Sequence, residues 1–272
     1  IEPLRDYAEG GRKLGELELA RLVARGDLEM ALCTTSPLSN FNPNFDVLDL
    51  PFVLDSFPQA DRVLNGPVGG YLLEGLGPHD LKGLGYLEIG FRVISSTVPL
   101  PGVDDFRGKR LRVMESRTCL RMAQELGAEG VACPPDRVYA MSRDGLIDGS
   151  DRTLPSYWSS KLYEVQPYIT ETRHLYSAKV ILIHKPLFDS LPEMERRGLE
   201  DAAREAEGLH RTNQRSEEAR VRQRCQDLGI RIYPLDDEQR KRFRDLCQPL
   251  YVEFQRMHDG RLLRDIQSTP RI

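Results

Sequence analysis

The sequence predicts an α/β protein, and three observations carry that expectation. Short apolar or alternating runs of strand length take turns with amphipathic runs of helical period along most of the chain. Glycine, proline, serine, asparagine and aspartate punctuate those runs where they end. The clearest unit is a strand, Lys109 to Met114, followed by a helix. In the strand Leu111 and Val113 share one face and Arg110 and Arg112 the other. Ser116 is placed to cap the helix, Leu120, Ala123 and Leu126 recur at helical spacing, and Gly127 stops it. Arg112 thus stands at the carboxyl end of a strand beside a helix N-terminus, where open α/β sheets bind ligands. Its planar fork of donors matches a carboxylate in two parallel hydrogen bonds. By itself the position equally suits a solvated or salt-bridged arginine.

The other elements follow in order. Leu14 to Ala24 reads as an amphipathic helix ended by Gly26, and Leu28 to Cys33 as a buried strand. Thr34 to Asn40 is a loop of hydroxyl and amide groups, ordinary turn chemistry on its own. Val47 to Val53 reads as an apolar strand broken by Pro51, and Pro58 to Leu76 as two short helices divided by Gly66-Pro67. Leu84 to Ile89 is a strand, continued by Phe91 to Ser96. Pro134-Pro135-Asp136 opens a helix with Asp136 as its expected cap, and Gly145 to Gly149 returns as a short strand. Trp158, the only tryptophan, falls in a helix with Leu162 and Val165, where core packing and a cleft wall are both open to it. Two strand-like pieces lie within Ile169 to Ile183. After Leu191-Pro192 a highly charged stretch reads as one long helix to about Leu228. Ile230 to Tyr233 alternates as a strand, and Asp236 caps a helix carrying Phe243, Cys247, Leu250, Phe254 and Met257. The tail after Gly260 carries no clear signal.

The 272 residues suffice for one large domain or two of about 130. A formal charge of −4 with mixed-sign charge runs argues against a nucleic-acid partner. No apolar run approaches the length of a membrane helix, and Ile1-Glu-Pro-Leu-Arg5 has no signal-peptide character. The five cysteines form no CxxC pair and read as buried thiols, and the five histidines are scattered, with no HExxH pair. Gly83-Leu-Gly85 lacks the third glycine of a dinucleotide fingerprint, and Gly149-Ser150 lacks the flanks of a nucleophile elbow. These features indicate no metal, no cofactor and no enzymatic centre.

Several segments together resemble one family. Phe106-Arg-Gly-Lys-Arg-Leu-Arg-Val113, Val138-Tyr139, Gly145-Leu-Ile-Asp-Gly149 and Tyr157-Trp-Ser-Ser-Lys-Leu-Tyr-Glu-Val-Gln166 are similar to the solute-binding proteins of TRAP transporters, of the C4-dicarboxylate-binding type. Gly26-Asp-Leu-Glu-Met-Ala31, Val47-Leu-Asp-Leu-Pro-Phe52 and Leu64-Asn-Gly-Pro-Val68 match in the same order, so the resemblance covers roughly residues 10 to 200. It implies a two-lobed periplasmic binding protein fold, two α/β domains joined by hinge strands and a long helix. The expected lobes are 1–90 with about 177–215, and 91–176 with about 216–272, crossing near residues 90 and 176. Ile1 to Gly15 resembles the family's second strand and the loop after it, so the first βα unit is expected to be missing.

The resemblance also implies a function: an exported, periplasmic protein that holds an organic acid anion between its lobes and delivers it to membrane permease subunits. A sensory receptor on the same fold is the alternative, and the oligomeric state stays open. The ligand-facing residues it implies are Arg112, Arg92 (20 residues earlier, as in sialic-acid-binding relatives), Thr34 and Thr35 in the first loop, and Asp151 and Arg152. At the last site the chain reads Asp148-Gly-Ser-Asp-Arg-Thr153 where many relatives carry a glutamate and an asparagine. Arg152 in place of a neutral amide implies either a ligand with more negative charge or an internal pair with Asp151 or Glu115.

Overall fold

The computed structural model describes residues 8–9, 12–114, 116–258 and 260–272. Glu115, and most of the predicted opening strand, lie outside the described residues. A two-residue hairpin, β1 (Ala8–Glu9) and β2 (Arg12–Lys13), leads into α1 (Glu16–Arg25), which ends on Gly26 at φ 75°. β3 (Met30–Thr34) follows, then two 3-10 turns over Ser36–Asn40 and Pro43–Asp49. α2 (Phe57–Leu64) and α3 (Pro67–Glu74) are the two helices expected around Gly66-Pro67, each begun with a proline in its first turn. β4 (Leu81–Ser96) runs for 16 residues. β5 (Arg110–Val113), α4 (Arg117–Glu125), β6 (Glu129–Ala132), α5 (Val138–Arg143), β7 (Gly149–Thr153) and α6 (Leu154–Ser159) then alternate. β8 (Tyr168–Glu171), β9 (Tyr176–His184), α7 (Lys185–Ser190) and α8 (Glu193–Asp227) follow, and β10 (Arg231–Pro234), α9 (Asp237–Leu246), α10 (Gln248–Met257) and α11 (Gly260–Ser268) close the chain.

β4 is the spine of the molecule. Its first part, Leu81 to Phe91, pairs antiparallel with β9, which pairs on its other side with β3. Its last residues, Arg92 to Ser96, pair with β7 on one side and, from Ile94, with β8 on the other. β5 lies parallel between β7 and β6, and β10 lies parallel to β8. Two sheets therefore share one strand, which irregularities at Gly83/Gly85 and Glu88/Gly90 bend. Gly90 sits at φ 104°, a conformation that excludes other residues at little cost only for glycine.

α8 has 35 residues, a length of about 50 Å, and lies along β4. Arg215 joins Glu88 on β4 to Asp61 on α2, Arg222 pairs with Glu171 on β8, and Val221 and Cys225 enter the core behind the second sheet. The thin apolar stripe of this charged helix is thus supplemented by ion pairs along its length. A larger core gathers Phe45, Leu72, Phe91, Leu111, Phe243 and Ile266, and a smaller one Val93, Ile147, Tyr157 and Leu162. Trp158 packs at the edge of the smaller core, stacked on Tyr163 with Arg224 over its ring.

Four expectations are corrected. Val47 to Val53 is not a strand: Asn42 caps a 3-10 turn through the Asn44 N–H, and Phe45, Val47, Leu48 and Leu50 are all buried by its close winding. Gly145 is at φ 67° in a turn, so the strand starts at Gly149 rather than ending there. Asp136 does not cap α5; Pro135 to Arg137 form a 3-10 turn that runs straight into it. The stripe from Phe243 to Met257 belongs to two helices, because Pro249 has no N–H to continue α9. The signal-poor tail is α11, which buries Leu262, Leu263 and Ile266.

The α2–α3 junction leaves no room for a side chain at Gly69, where an added Cβ would stand 1.9 Å from the Leu64 carbonyl oxygen. Gly69→Ala is expected to cost about 1–3 kcal/mol through overpacking. Chemical denaturation of the variant beside wild type measures it, and equal stabilities would refute the close approach.

Candidate functional site

The site is built where β4, β7 and β5 lie side by side. Opposed residues share a face, so Arg92 and Thr153 project with Asp151 and Ile94 from one side of the sheet. Arg152 projects from the other side with Ser150, and so does Arg112, whose register partner on β7 is Ser150. Gly149 permits the close approach of the strands, since a Cβ there would sit 2.8 Å from the Ser95 carbonyl oxygen. All four charged residues are nearly inaccessible, at 7% for Arg92, 4% for Arg112, 1% for Asp151 and 5% for Arg152.

Their partners differ. Arg92 is fully engaged: Nε donates to Asp151 Oδ1 at 2.6 Å, Nη2 to the Asp151 carbonyl oxygen, and Nη1 to Ser177 Oγ. Arg112 donates from Nε and Nη2 to the one carbonyl oxygen of Cys133, at 2.9 and 2.7 Å. Arg152 donates from Nη1 to Ser160 Oγ and from Nη2 to the Pro135 carbonyl oxygen, while its Nε is buried without a partner. The internal pair between Arg152 and Asp151 is therefore not formed; Asp151 is ion-paired with Arg92. Among the described residues neither Arg112 nor Arg152 has a carboxylate in ion-pair contact.

Burial and mutual repulsion leave their mark. Desolvation, then the Arg92 guanidinium, lowers the Arg112 pKa. Burial, followed by Arg112 and Arg92, brings Arg152 down to about 10, still charged at neutral pH. Burial pushes Asp151 upward but is outweighed by Arg92 and its other neighbours, so its carboxyl lies below the usual range. Three further polar atoms here are buried without partners: Asp151 Oδ2, Thr153 Oγ1 and His174 Nε2. Such atoms are expensive to leave unmatched in a closed interior. The arrangement can bind a small molecule that carries negative charge and hydroxyl groups.

Two more residues join this neighbourhood that the sequence did not single out. His174 is completely buried, holds Thr172 Oγ1 through Nδ1 at 2.6 Å, and places Nε2 3.5 Å from Asp151 Oδ1. Asp49 accepts hydrogen bonds from Ser36 Oγ (2.6 Å) and from Ser116 Oγ (2.9 Å), the latter being the cap of α4. A lone carboxylate inside Val47-Leu-Asp-Leu-Pro-Phe52 was the available signal for Asp49; an isolated histidine offered none for His174. Thr34 and Thr35 are held elsewhere. The Thr34 N–H donates to Glu16 Oε2, whose other oxygen pairs with Lys179, and the buried Thr35 donates its N–H to the Ala178 carbonyl oxygen. No hydrogen bond among the described residues links either threonine to the arginines. Among the described residues no His, Cys, Asp and Glu side chains gather as a metal site, and the five cysteines are buried and unpaired.

Asp49 and His174 titrate in opposite senses. Burial, against the two serine hydrogen bonds, raises Asp49 from an ordinary 3.8 to about 6. Its proton is held more tightly when folded, so it removes stability as pH rises from about 4 to 6. Burial, against the Asp151 charge, lowers His174 from 6.5 to about 4. The folded chain keeps it neutral, so it adds stability as pH rises from about 4 to 6.5. Each effect is about 3 kcal/mol. Asp49→Asn should therefore gain stability relative to wild type as pH rises through this window, and His174→Gln should lose it. Urea titrations at pH 4, 5, 6 and 7 read both trends; variants that track wild type at a constant offset would show that neither group titrates abnormally.

Comparison with known proteins identifies the family. The family model for bacterial extracellular solute-binding proteins, family 7, matches residues 9–257. A solute-binding protein of Verminephrobacter eiseniae is 29% identical over 93% of this chain and 75% of its own. A C4-dicarboxylate-binding protein of Bacillus subtilis is 25% identical over 94% of this chain and 74% of its own. Among solved structures, a TRAP periplasmic solute-binding protein of Chromohalobacter salexigens with bound D-glucuronate superposes with a TM-score of 0.89 at 28% identity, covering 94% of this chain and 85% of that one. That likeness and the shared strand β4 make the architecture the two-lobed one. The chain belongs to family 7 of the bacterial extracellular solute-binding proteins.

Proposed function

We propose that this chain captures an organic acid anion, a C4-dicarboxylate or a sugar acid, between its lobes and delivers it to the permease subunits of a TRAP transporter outside the cytoplasm. One observation carries the reading: three arginines are almost fully buried around one aspartate that is already ion-paired. Buried cations need a counter-charge, and an anionic ligand supplies it. The relatives' bound D-glucuronate and C4-dicarboxylates support that chemistry.

The residues then take distinct roles. Cys133 occupies the Nε–Nη2 edge of Arg112, so a carboxylate docks end-on, against Nη1 and the remaining Nη2 hydrogen. Arg92, saturated by Asp151 and Ser177, contributes its field rather than a contact. Asp151 Oδ2, Thr153 Oγ1 and His174 Nε2, buried without partners, belong to the Arg92 side of the sheet. In this reading β4 and β9, near residues 90 and 176, form the hinge, and the burial of the arginines describes closed lobes. Charge-assisted hydrogen bonds contribute about 1.5–3 kcal/mol each, and after the cost of closure affinity falls in roughly the micromolar range.

A thermal-shift screen of organic acids, followed by calorimetry, tests this. Wild type should bind at least one carboxylate. Arg112→Ala should weaken it about 100-fold with an unchanged far-UV spectrum, and Arg112→Lys should bind poorly because an ammonium lacks the planar edge. Normal binding by Arg112→Ala would sink the assignment.

A further inference from the structure

We propose that Arg173 is a positioning residue of the anion site: its side chain, held between α2, β4 and α8, keeps its own backbone left-handed and thereby seats His174 against Asp151. This rests on the reading of the arginine cluster as the binding site, and it adds a residue that stands outside that cluster.

A backbone angle is the starting point. Arg173 is at φ 45° in the link between β8 and β9. Arginine gains nothing locally from that region, which suits glycine and, after it, asparagine and aspartate. Asp80 and Lys161 share the conformation, but each borders a 3-10 turn. The link that holds Arg173 has no helical turn beside it. Such an angle persists only where the surroundings over-determine it, and here they do. The guanidinium lies over the Phe91 ring at 4.2 Å and the Phe57 ring at 5.2 Å, and Nη1 reaches Glu218 Oε1 at 3.3 Å. Phe57 opens α2, Phe91 follows the left-handed Gly90 on β4, and Glu218 belongs to α8. The two rings meet edge to face, 5.1 Å between centroids, so the seat under the cation is itself packed.

The neighbouring residues carry the consequence. The Thr172 carbonyl oxygen accepts from Arg240 Nη1, that of His174 from the Phe52 N–H at 2.6 Å, and that of Leu175 from the Arg92 N–H at 2.8 Å. A return of Arg173 to negative φ would turn the peptide planes beside it, break this set and swing the His174 ring. That ring lies among Asp151 on β7, Arg92 on β4 and Phe243 on α9, with Nε2 3.5 Å from Asp151 Oδ1 and the phenyl ring stacked at 5.5 Å. Arg173 thus faces α8 while the next residue faces the site, and a grip on one side fixes a ring on the other.

The His174 ring reports its own seating without any ligand. Its proton NMR signal, identified by its loss in His174→Gln, is followed between about pH 5 and 7.5. In wild type the signal should stay flat, because burial holds the imidazole down at about 4. Arg173→Ala keeps the backbone strain and loses the grip, so the ring should begin to titrate toward its ordinary 6.5. Arg173→Gly adopts the left-handed angle freely and should restore the flat signal. A merely structural role would leave the folded-state titration alike in the two variants. Calorimetry with D-glucuronate and succinate reads the site itself: an acid that binds wild type should bind Arg173→Ala about 10-fold more weakly, and Arg173→Gly within about threefold of wild type. A flat signal in Arg173→Ala, a titrating one in Arg173→Gly, or equal affinity in Arg173→Ala and wild type overturns the proposal. If no acid of the broader screen binds wild type, the reading of the site fails, while the histidine signal still decides whether Arg173 seats the ring. Should Arg173→Ala not fold, Glu218→Gln replaces it. That change should start the His174 titration in the wild-type background and have no effect beside Arg173→Gly; no shift in the first background overturns the proposal.

Discussion

Three guanidinium groups enclosed around a single ion-paired carboxylate form the constraint on which the rest of this architecture turns. Burying an arginine without an anion costs several kcal/mol even after relaxation, and among the described residues two of the three have only carbonyl and hydroxyl partners. A chain that needed only a stable core would place apolar side chains there. Ser95, Ser150, Ser142 and Gln166, on the same face of the sheet as Arg112 and Arg152, are by contrast mutually hydrogen-bonded. That network gives the strands a rigid support, while Arg152 Nε, Asp151 Oδ2, Thr153 Oγ1 and His174 Nε2 beside it are buried without partners. Arg92 serves the same end: clamped at three nitrogens, it cannot swing to quench its neighbours and holds Asp151 away from them.

How far the sequence reveals this depends on whether the signal is local. Ser116, Gly26 and the prolines of α2 and α3 act within one turn, and those elements appear where capping chemistry puts them. Val47 to Val53 misleads because apolar composition reports burial and says little about winding; the Asn42 cap and the packing of Phe45 decide for a 3-10 turn. α11 is invisible for the opposite reason. Its three buried residues make sense only once α3, far away in sequence, packs against it beside α10. In the candidate site, only Arg112 stands out from its place on a strand; Arg92 and Arg152 are implied by the family resemblance. What the sequence does not contain is which donors remain free. The backbone carbonyls of Cys133 and Pro135 occupy one edge of Arg112 and one nitrogen of Arg152, and carbonyl positions follow from tertiary structure alone.

If these arginines hold the ligand as proposed, binding has to be coupled to movement, because residues only a few per cent exposed are reached by opening. β4 concentrates that coupling. It contributes Arg92 to the site, belongs to both sheets, and is bent by glycine-bearing irregularities just before Arg92. α8 braces the same strand through Tyr86, Glu88 and Lys82 while Arg222 holds β8. Most of these braces are ion pairs at partly exposed positions, each worth little by itself and weakened by salt. Contacts of that kind can slide or exchange partners during a hinge motion, whereas an interdigitated apolar seam would have to be torn open.

Asp49 adds a second level of control to the same motion. It lies in the turn after β3, yet one of its oxygens is bonded to the cap of α4, beside β5. The buried carboxylate and the Cys119 N–H thus share one hydroxyl, that of Ser116. The serine hydroxyl has one hydrogen, and it goes to Asp49, so its lone pairs are left for the helix. One residue thereby satisfies a helix terminus and a buried acid together, an economy that holds only when the two segments are in contact. Burial holds the Asp49 carboxyl up and the His174 imidazole down, so their contributions to stability change in opposite directions across the mildly acidic range.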